Sequence, residues 1–125
     1  MILGIGNDLI EINRVEKACQ KEAFLSRIYT KKEIELYKDK TASLAGNFAV
    51  KEAVSKTFGT GFRGFEPRDI EVLRDESGKP YVVLYGGAKD MCQKLGGSKI
   101  FVSISNTKEY VMAVAVLEGN KRWRQ

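Results

Sequence analysis

Two carboxylates lie where the surrounding sequence is apolar, and this placement is the first sign of chemistry in the chain. Glu52 falls near the middle of an apolar arc on the longest predicted helix, and Lys56 follows one turn later. Asp8 lies on the apolar face of the first predicted strand. A buried carboxylate without a partner costs several kcal/mol, so each of these side chains needs a cation or hydrogen-bond donors.

Each carboxylate has a structural explanation as well as a chemical one. Glu52 and Lys56, four residues apart, form a favourable ion pair on a helix by themselves. The alternative is that Glu52 belongs to a metal or catalytic site. Asp8 is either a hydrogen-bond acceptor near a strand end or a second carboxylate of that site. The glycines before it provide close packing or room for a ligand, on a predicted face made of Ile2, Gly4, Gly6, Asp8, Ile10 and Ile12.

Residue types that are absent restrict the chemistry. The chain has no histidine and only two cysteines, which lack a CxxC spacing. Histidine-based triads are therefore excluded and zinc is disfavoured. Any metal is expected to be a hard ion bound by oxygen, such as Mg²⁺. Two carboxylates with a lysine can bind Mg²⁺ together with a diphosphate and neutralise charge on its phosphoryl oxygens.

Length and charge predict a single domain, residues 1–125, with an acidic or phosphorylated partner. The chain is 43% hydrophobic and carries a net charge of +5, so nucleic acid is compatible on charge alone. Arg14, Lys17 and Lys21 form a stripe that is either a solvated surface or a docking strip for an acidic helix. No apolar run approaches the ~20 residues of a membrane span. The scattered cysteines and the lack of a signal peptide predict a reduced, cytoplasmic protein.

The hydrophobic periods predict an α+β fold. Capping boxes are predicted at Asn13 with Glu16 and at Thr30 with Glu33, and Gly59 is predicted to end the long helix before a flexible, glycine-rich loop. That loop either terminates the helix or lets backbone N–H groups approach phosphate. The later strands form hairpins, which favours a mainly antiparallel sheet wrapped around the long central helix. Helices are predicted at 14–23, 31–37, 43–58 and 88–95, and strands at 1–12 (buried on both faces), 70–74, 80–84, 99–105 and 110–117.

Four blocks of the sequence resemble the holo-acyl-carrier-protein synthases, the short-chain 4'-phosphopantetheinyl transferases. They are GIGNDLIEINRVEKA from Gly4, FAVKEAVSKTFGTGF from Phe48, GKPYV from Gly78 and SISNTKEYVMAVAVLE from Ser103. The blocks keep the family's order and spacing over nearly the whole chain. The resemblance implies an enzyme that moves the phosphopantetheine arm of coenzyme A to a serine of apo acyl carrier protein. The reaction would require Mg²⁺, release adenosine 3',5'-bisphosphate and serve fatty acid synthesis.

The resemblance also implies roles for individual residues. Asp8 and Glu52 match the family's magnesium ligands and, with Lys56 beside the coenzyme A phosphates, are the implied catalytic residues. The base that deprotonates the serine is left open between a metal-associated water, the glutamate and the lysine. The implied coenzyme A contacts are Lys56, Gly59, Lys79, Ser105 and Asn106. The implied carrier-docking residues are Arg14, Lys17 and Lys21.

Family members are homotrimers with active sites between subunits, so a homotrimer is expected. Asn47 and Asn106 stand where many members have arginine and histidine, near the 3'-phosphate of coenzyme A, and Lys79 and Lys108 are candidates to replace those charges. The alternative function is a non-catalytic basic module that binds acidic carrier proteins or nucleic acid. The chain lacks a basic run interleaved with aromatics, so no nucleic-acid partner is expected, and no membrane partner either.

Overall fold

The computed structural model describes residues 1–120, and the frayed basic end predicted at 121–125 lies outside them. Its architecture is α+β with antiparallel sheets and a long central helix, as predicted. No helix within the described residues is long and apolar enough to cross a membrane. The elements in order are β1 (Ile2–Glu11), α1 (Ile12–Ala18), α2 (Glu22–Ile28), α3 (Lys31–Tyr37), α4 (Thr41–Thr57), a 3-10 turn (Pro67–Asp69), β2 (Ile70–Arg74), β3 (Pro80–Leu84), α5 (Gly86–Lys94), β4 (Gly97–Asn106) and β5 (Tyr110–Gly119).

The strands form two antiparallel sheets rather than one. The larger sheet has the order β1-β5-β4, and β2 and β3 form a separate hairpin. Helix α4 packs across the inner face of the larger sheet and also contacts β2 and α3. Alternate residues of β5 face α4 and are buried, namely Val111, Ala113, Ala115 and Leu117. Because α4 is covered on several sides, apolar residues on more than one face of it are buried, namely Leu44, Ala45, Ala49, Val50, Ala53 and Val54.

Glycines in β1 bring α4 very close to the sheet. A Cβ atom added at Gly4 would overlap the carbonyl oxygen of Thr57, and one added at Gly6 would overlap that of Ala53. The two glycines therefore serve close packing of a helix and not access for a ligand. From Gly4 to Gly6 the contact moves two residues forward along β1, and from Thr57 to Ala53 it moves four residues back along α4. Both steps are roughly 6–7 Å long. The two elements thus run antiparallel.

A buried polar network, which the sequence interpretation missed, joins α3, α4 and β2. The Lys51 Nζ atom lies 2.8 Å from Glu33 Oε1, and both side chains are fully buried. Lys51 also donates to the carbonyl oxygens of Pro67 and Ile70. Asn47 is completely buried and donates to Glu33 Oε2 over 3.0 Å. Glu33 also completes the predicted capping box with Thr30, so that prediction is confirmed.

The predicted helix at 14–23 is wrong, because the chain forms two short helices here. Helix α1 begins directly after β1 with Glu11 at its N-cap, and no side chain caps it. The first amide, that of Ile12, instead donates to the carbonyl oxygen of Glu109, so the capping box at Asn13 does not form. Val15 of α1 packs in the main core, whereas Leu25 of α2 packs in a second cluster with Tyr29 and Leu73. The break between α1 and α2 allows the chain to reach both clusters.

The prediction that β1 is buried on both faces is also wrong for the single chain. The register with β5 shifts between Ile2 and Gly4, so Leu3 packs inward and Ile2 lies outside. Beyond this shift Ile5 and Leu9 point away from α4 and are each 69% exposed. We call this apolar surface of β1, β5 and β4 the outer sheet face. Its other members are Phe101, Met112, Val114 and Val116.

The glycine-rich loop after α4 is anchored by aromatic packing rather than free. Phe58 and Phe65 stack edge to face at 5.6 Å, and Phe62 lies 5.4 Å from Phe65. Gly59 adopts φ +79°, as its predicted role in ending the helix requires. Cys19 and Cys92 are both free thiols, and burial raises the pKa of each.

Candidate active site

The packing of β1 on α4 brings Asp8 and Lys56 together across 48 sequence positions. The Lys56 Nζ atom lies 3.2 Å from Asp8 Oδ1 and donates to the carbonyl oxygen of Asn7 over 2.8 Å. Gly6 makes this approach possible, because a Cβ atom there would lie 2.8 Å from Lys56 Cβ. The Asp8 side chain is 20% exposed and that of Lys56 is 49% exposed, so solvent and ligands can reach the pair.

Glu52 is half-buried beside this pair. Burial raises the pKa of its carboxyl, the nearby charge of Asp8 raises it further, and Lys56 opposes the shift. The predicted ion pair between Glu52 and Lys56 does not form, since Lys56 pairs with Asp8. Asp8 and Glu52 therefore place two carboxylates close together in a partly buried region, an arrangement that can bind a cation.

The donor set fits Mg²⁺ better than a metal that needs a complete protein cage. Residues 1–120 contain no group of three or more cysteine, aspartate or glutamate side chains arranged to hold a metal ion. Mg²⁺ in proteins is commonly bound by one or two carboxylates together with substrate phosphates and water. Asp8 and Glu52 can supply such a pair, with Lys56 close enough to contact the same phosphates.

The raised pKa of Glu52 predicts a pH-dependent stability effect of Glu52→Gln in metal-free buffer. The folded protein binds the Glu52 proton more tightly than the unfolded chain, whose carboxyl has the ordinary pKa of 4.5. The stability contributed by that proton is complete below about pH 4.5 and is lost as pH rises through the raised folded pKa. Glu52→Gln should therefore gain stability relative to wild type between about pH 5 and pH 7.5.

The gain should stay below about 1 kcal/mol, because solvent screens a half-exposed group. Urea unfolding at the two pH values measures it, with the exposed Glu35→Gln as the control. If the difference in free energy of unfolding between Glu52→Gln and wild type is the same at both pH values, the raised pKa of Glu52 is contradicted.

The predicted coenzyme A residues are not all brought together. Asn106 lines a cavity of about 240 Å³ whose walls include Gly78 and Pro80, the neighbours of Lys79. Ser105 instead lies on the outer sheet face, because adjacent strand residues point to opposite sides. The Gly59 amide already donates to the carbonyl oxygen of Lys56, so a phosphate contact of Gly59 stays a prediction.

Arg74, which the sequence interpretation missed, is the cation of this cavity. Its Nη1 atom donates to Asn47 Oδ1 over 2.7 Å, and its guanidinium lies 5.1 Å from the Tyr37 ring centroid. Asn47 therefore faces the core and holds an arginine instead of facing a ligand. The signal in the sequence was a basic residue at the end of β2, just before the hairpin turn. Lys108 lies elsewhere, in a cleft with Glu11 and Glu16.

The basic stripe is broken into two helices but still forms one surface. Arg14 and Lys17 lie on α1, and Lys21 is the N-cap of α2. Arg27, in the last turn of α2, joins them, with its guanidinium 5.9 Å from the Phe24 ring centroid. We call these four residues the basic strip. Its apolar floor is formed by Ala18, Phe24 and Phe48 in two adjoining clefts of about 610 and 500 Å³.

Comparison with known proteins gives matches over nearly the whole chain. Residues 4–115 match the model of the 4'-phosphopantetheinyl transferase superfamily. A Lachnoclostridium phytofermentans protein named holo-[acyl-carrier-protein] synthase is 55% identical over 118 residues, which cover 94% of this chain and 97% of that protein. A Plasmodium yoelii acyl carrier protein synthase solved with ADP bound has a TM-score of 0.87 and 33% identity, covering 97% of this chain and 98% of its own. A Bacillus anthracis holo-(acyl-carrier-protein) synthase solved in complex with CoA (3',5'-ADP) has a TM-score of 0.80 and 38% identity, covering 96% and 99%.

Proposed function

Because the chain belongs to the 4'-phosphopantetheinyl transferase superfamily and resembles its holo-[acyl-carrier-protein] synthases throughout, we propose that it transfers the phosphopantetheine arm of coenzyme A to a serine of apo acyl carrier protein. The observation that carries this proposal is the meeting of Asp8, Glu52 and Lys56 at one partly exposed place. The alternative of a non-catalytic basic module would use the same basic surface, but it does not account for the meeting of two carboxylates and a lysine. The proposed reaction depends on Mg²⁺ and serves fatty acid synthesis.

In the transfer, the serine oxygen bonds to the phosphorus that carries pantetheine. The bond from that phosphorus to the oxygen of adenosine 3',5'-bisphosphate breaks, and the serine proton passes to a base. Asp8 and Glu52 would hold Mg²⁺, which when bound supplies positive charge to the diphosphate. Lys56 would donate to a phosphoryl oxygen and offset the charge that develops there. The base that takes the serine proton stays open, and Lys56 cannot take it while its ammonium donates to a phosphoryl oxygen.

Mass spectrometry tests the activity directly. The protein is incubated with coenzyme A, Mg²⁺ and an apo acyl carrier protein, and the carrier should gain the mass of the phosphopantetheine arm on its serine. A carrier with that serine changed to alanine is the control. If the carrier mass stays unchanged at high enzyme concentration, with and without Mg²⁺, the proposed function is wrong.

The cavity around Arg74 is proposed to take the 3'-phosphate end of coenzyme A, together with Lys79 and Asn106 as further contacts. A coenzyme A contact of Ser105, which lies on the outer sheet face, stays a prediction. Arg74 supplies there a positive charge that Asn47 and Asn106 lack, and Asn47 fixes its direction. Arg74→Met should therefore raise the KM for coenzyme A by about tenfold, the effect of losing a charged hydrogen bond. The KM for dephospho-coenzyme A, which lacks this phosphate, should stay the same.

Arg74→Lys tests the same point with the charge retained, and its KM should lie between those of wild type and Arg74→Met. Thermal unfolding of both variants separates an altered KM from loss of the Asn47 contact. An equal rise in the KM for both forms of coenzyme A would place Arg74 away from the 3'-phosphate.

The basic strip is proposed to dock the acidic helix of the carrier, with the apolar floor receiving its hydrophobic side chains. Charge reversal by Arg14→Glu with Lys17→Glu should raise the KM for the carrier by about tenfold or more, because steering charges act mainly on association. The KM for coenzyme A should not change. The exposed Lys89→Glu on α5 serves as the control, and steady-state kinetics at low and high salt provides the measurement. An unchanged carrier KM would contradict docking at the basic strip.

A homotrimer with active sites between subunits is proposed from the outer sheet face. Monomeric proteins rarely expose a contiguous apolar patch of this kind, with Phe101 43% exposed and Met112 38% exposed beside Ile5 and Leu9. Strands β1 and β4 are opposite edges of the sheet, so Asp8 and Asn106 can meet across a boundary between copies. Sedimentation equilibrium tests this assembly, since a monomer at micromolar concentration would contradict it.

A further inference from the structure

Lys56 occupies the carboxylate that the proposed function gives to Mg²⁺. Its ammonium contacts Asp8 Oδ1 at 3.2 Å and donates to the carbonyl oxygen of Asn7 at 2.8 Å. Glu52, which stands one helical turn before Lys56, receives no ion pair in the described part of the chain. Lys56 therefore neutralises one of the two carboxylates when no ion or substrate is bound.

The contact is built so that the stem of Lys56 is fixed while its ammonium can move. Gly6 lies against Lys56 Cβ, which sets where the side chain leaves α4. The Lys56 side chain as a whole is 49% exposed. Ion pairs of this exposure are weak, because water competes for both charges. A diphosphate, with more than one negative charge and several acceptor oxygens, can therefore take the ammonium from Asp8.

An ammonium and a divalent cation on the same carboxylate repel each other, because the field between charges a few ångströms apart is strong at a partly buried site. Binding of the ion at Asp8 and Glu52 thus requires that Lys56 leave Asp8 or weaken its contact. The diphosphate offers Lys56 a second acceptor, so its arrival favours the ion, and the ion favours its arrival. Such coupling is reciprocal for binding free energies.

We propose that Lys56 is the counter-ion of Asp8 before substrates bind and passes to the diphosphate of coenzyme A when the divalent ion binds, so that this one side chain couples the two binding events. The inference rests on the proposed function, because it takes the Asp8 and Glu52 pair as the metal site. It adds that the site binds metal weakly in the absence of coenzyme A, because the Lys56 ammonium competes with the metal ion for Asp8.

Mn²⁺ binding tests the inference without any turnover, using electron paramagnetic resonance or calorimetry in the absence of carrier. Without coenzyme A, Lys56→Met and Lys56→Gln should each bind Mn²⁺ about tenfold more tightly than wild type. The exposed Lys89→Met on α5, which removes the same formal charge elsewhere, should bind it as wild type does. Saturating coenzyme A should strengthen Mn²⁺ binding by a larger factor in wild type than in either Lys56 variant.

The outcomes distinguish the inference from the proposed function. The inference is overturned if Lys56→Met and Lys56→Gln are folded but bind Mn²⁺ no more tightly than wild type. Loss of Mn²⁺ binding in Asp8→Asn would still support the metal site of the proposed function. Mn²⁺ binding that is the same in Asp8→Asn as in wild type would instead remove the metal site. An equal increase in Lys89→Met would assign the effect to net charge and also overturn the inference.

Discussion

Asp8→Asn should lower kcat for phosphopantetheine transfer by about a thousandfold while the protein stays folded, the size of effect found when one preorganised charge is removed from a transition state. Asparagine keeps the size of the side chain but lacks the charge that would bind Mg²⁺ and orient Lys56. The fold should persist, because the ion pair lost is partly exposed and such pairs contribute less than about 1 kcal/mol.

The measurement is steady-state transfer to the carrier over a range of Mg²⁺ concentrations, with circular dichroism to verify folding. Glu35→Gln removes a carboxylate from an exposed position on α3 and should leave the rate unchanged. If Asp8→Asn retains near wild-type kcat at the same Mg²⁺ concentration, Asp8 has no role in binding the ion.

Lys51→Met should destabilise the protein by about 3–5 kcal/mol, the usual effect of removing one partner of a buried ion pair. The Glu33 carboxyl would remain fully buried, with its cation gone. Two backbone carbonyl oxygens, of Pro67 and Ile70, would also lose their donor. Urea unfolding measures the change, which corresponds to a fall in Tm of about 11–19 °C.

A double variant determines whether the loss comes from the pair itself. Lys51→Met with Glu33→Gln should be destabilised by less than the sum of the single variants, with a coupling of about 1–3 kcal/mol. Lys32→Met, an exposed lysine on α3, should change stability by less than about 0.5 kcal/mol. Folded Lys51→Met should keep transferase activity, since Lys51 faces the core. Additive losses in the double variant would show that the two side chains act independently.

Local chemistry determined much of this protein from the sequence. The period of apolar residues located α3, α4, the β2–β3 hairpin and the β4–β5 hairpin, and the Thr30 capping box formed as predicted. The absence of histidine restricted any metal to oxygen ligands before a site was known. These features depend only on residues close together in the chain or on which residue types are present, so they can be predicted from a single sequence. The four family blocks added the fold class and the enzyme class.

The tertiary structure alone decided which charges meet. Lys51 and Glu52 are neighbours on α4 and point about 100° apart around the helix axis. The sequence alone did not show which of these two directions is covered, so it did not distinguish buried Lys51 from half-exposed Glu52. The choice depends on α3 and β2, which cover α4 from distant parts of the chain. Likewise Lys56 pairs with Asp8 instead of Glu52 because the glycines of β1 let the helix approach the strand. Contacts between remote residues follow from packing, and a local pattern does not encode them.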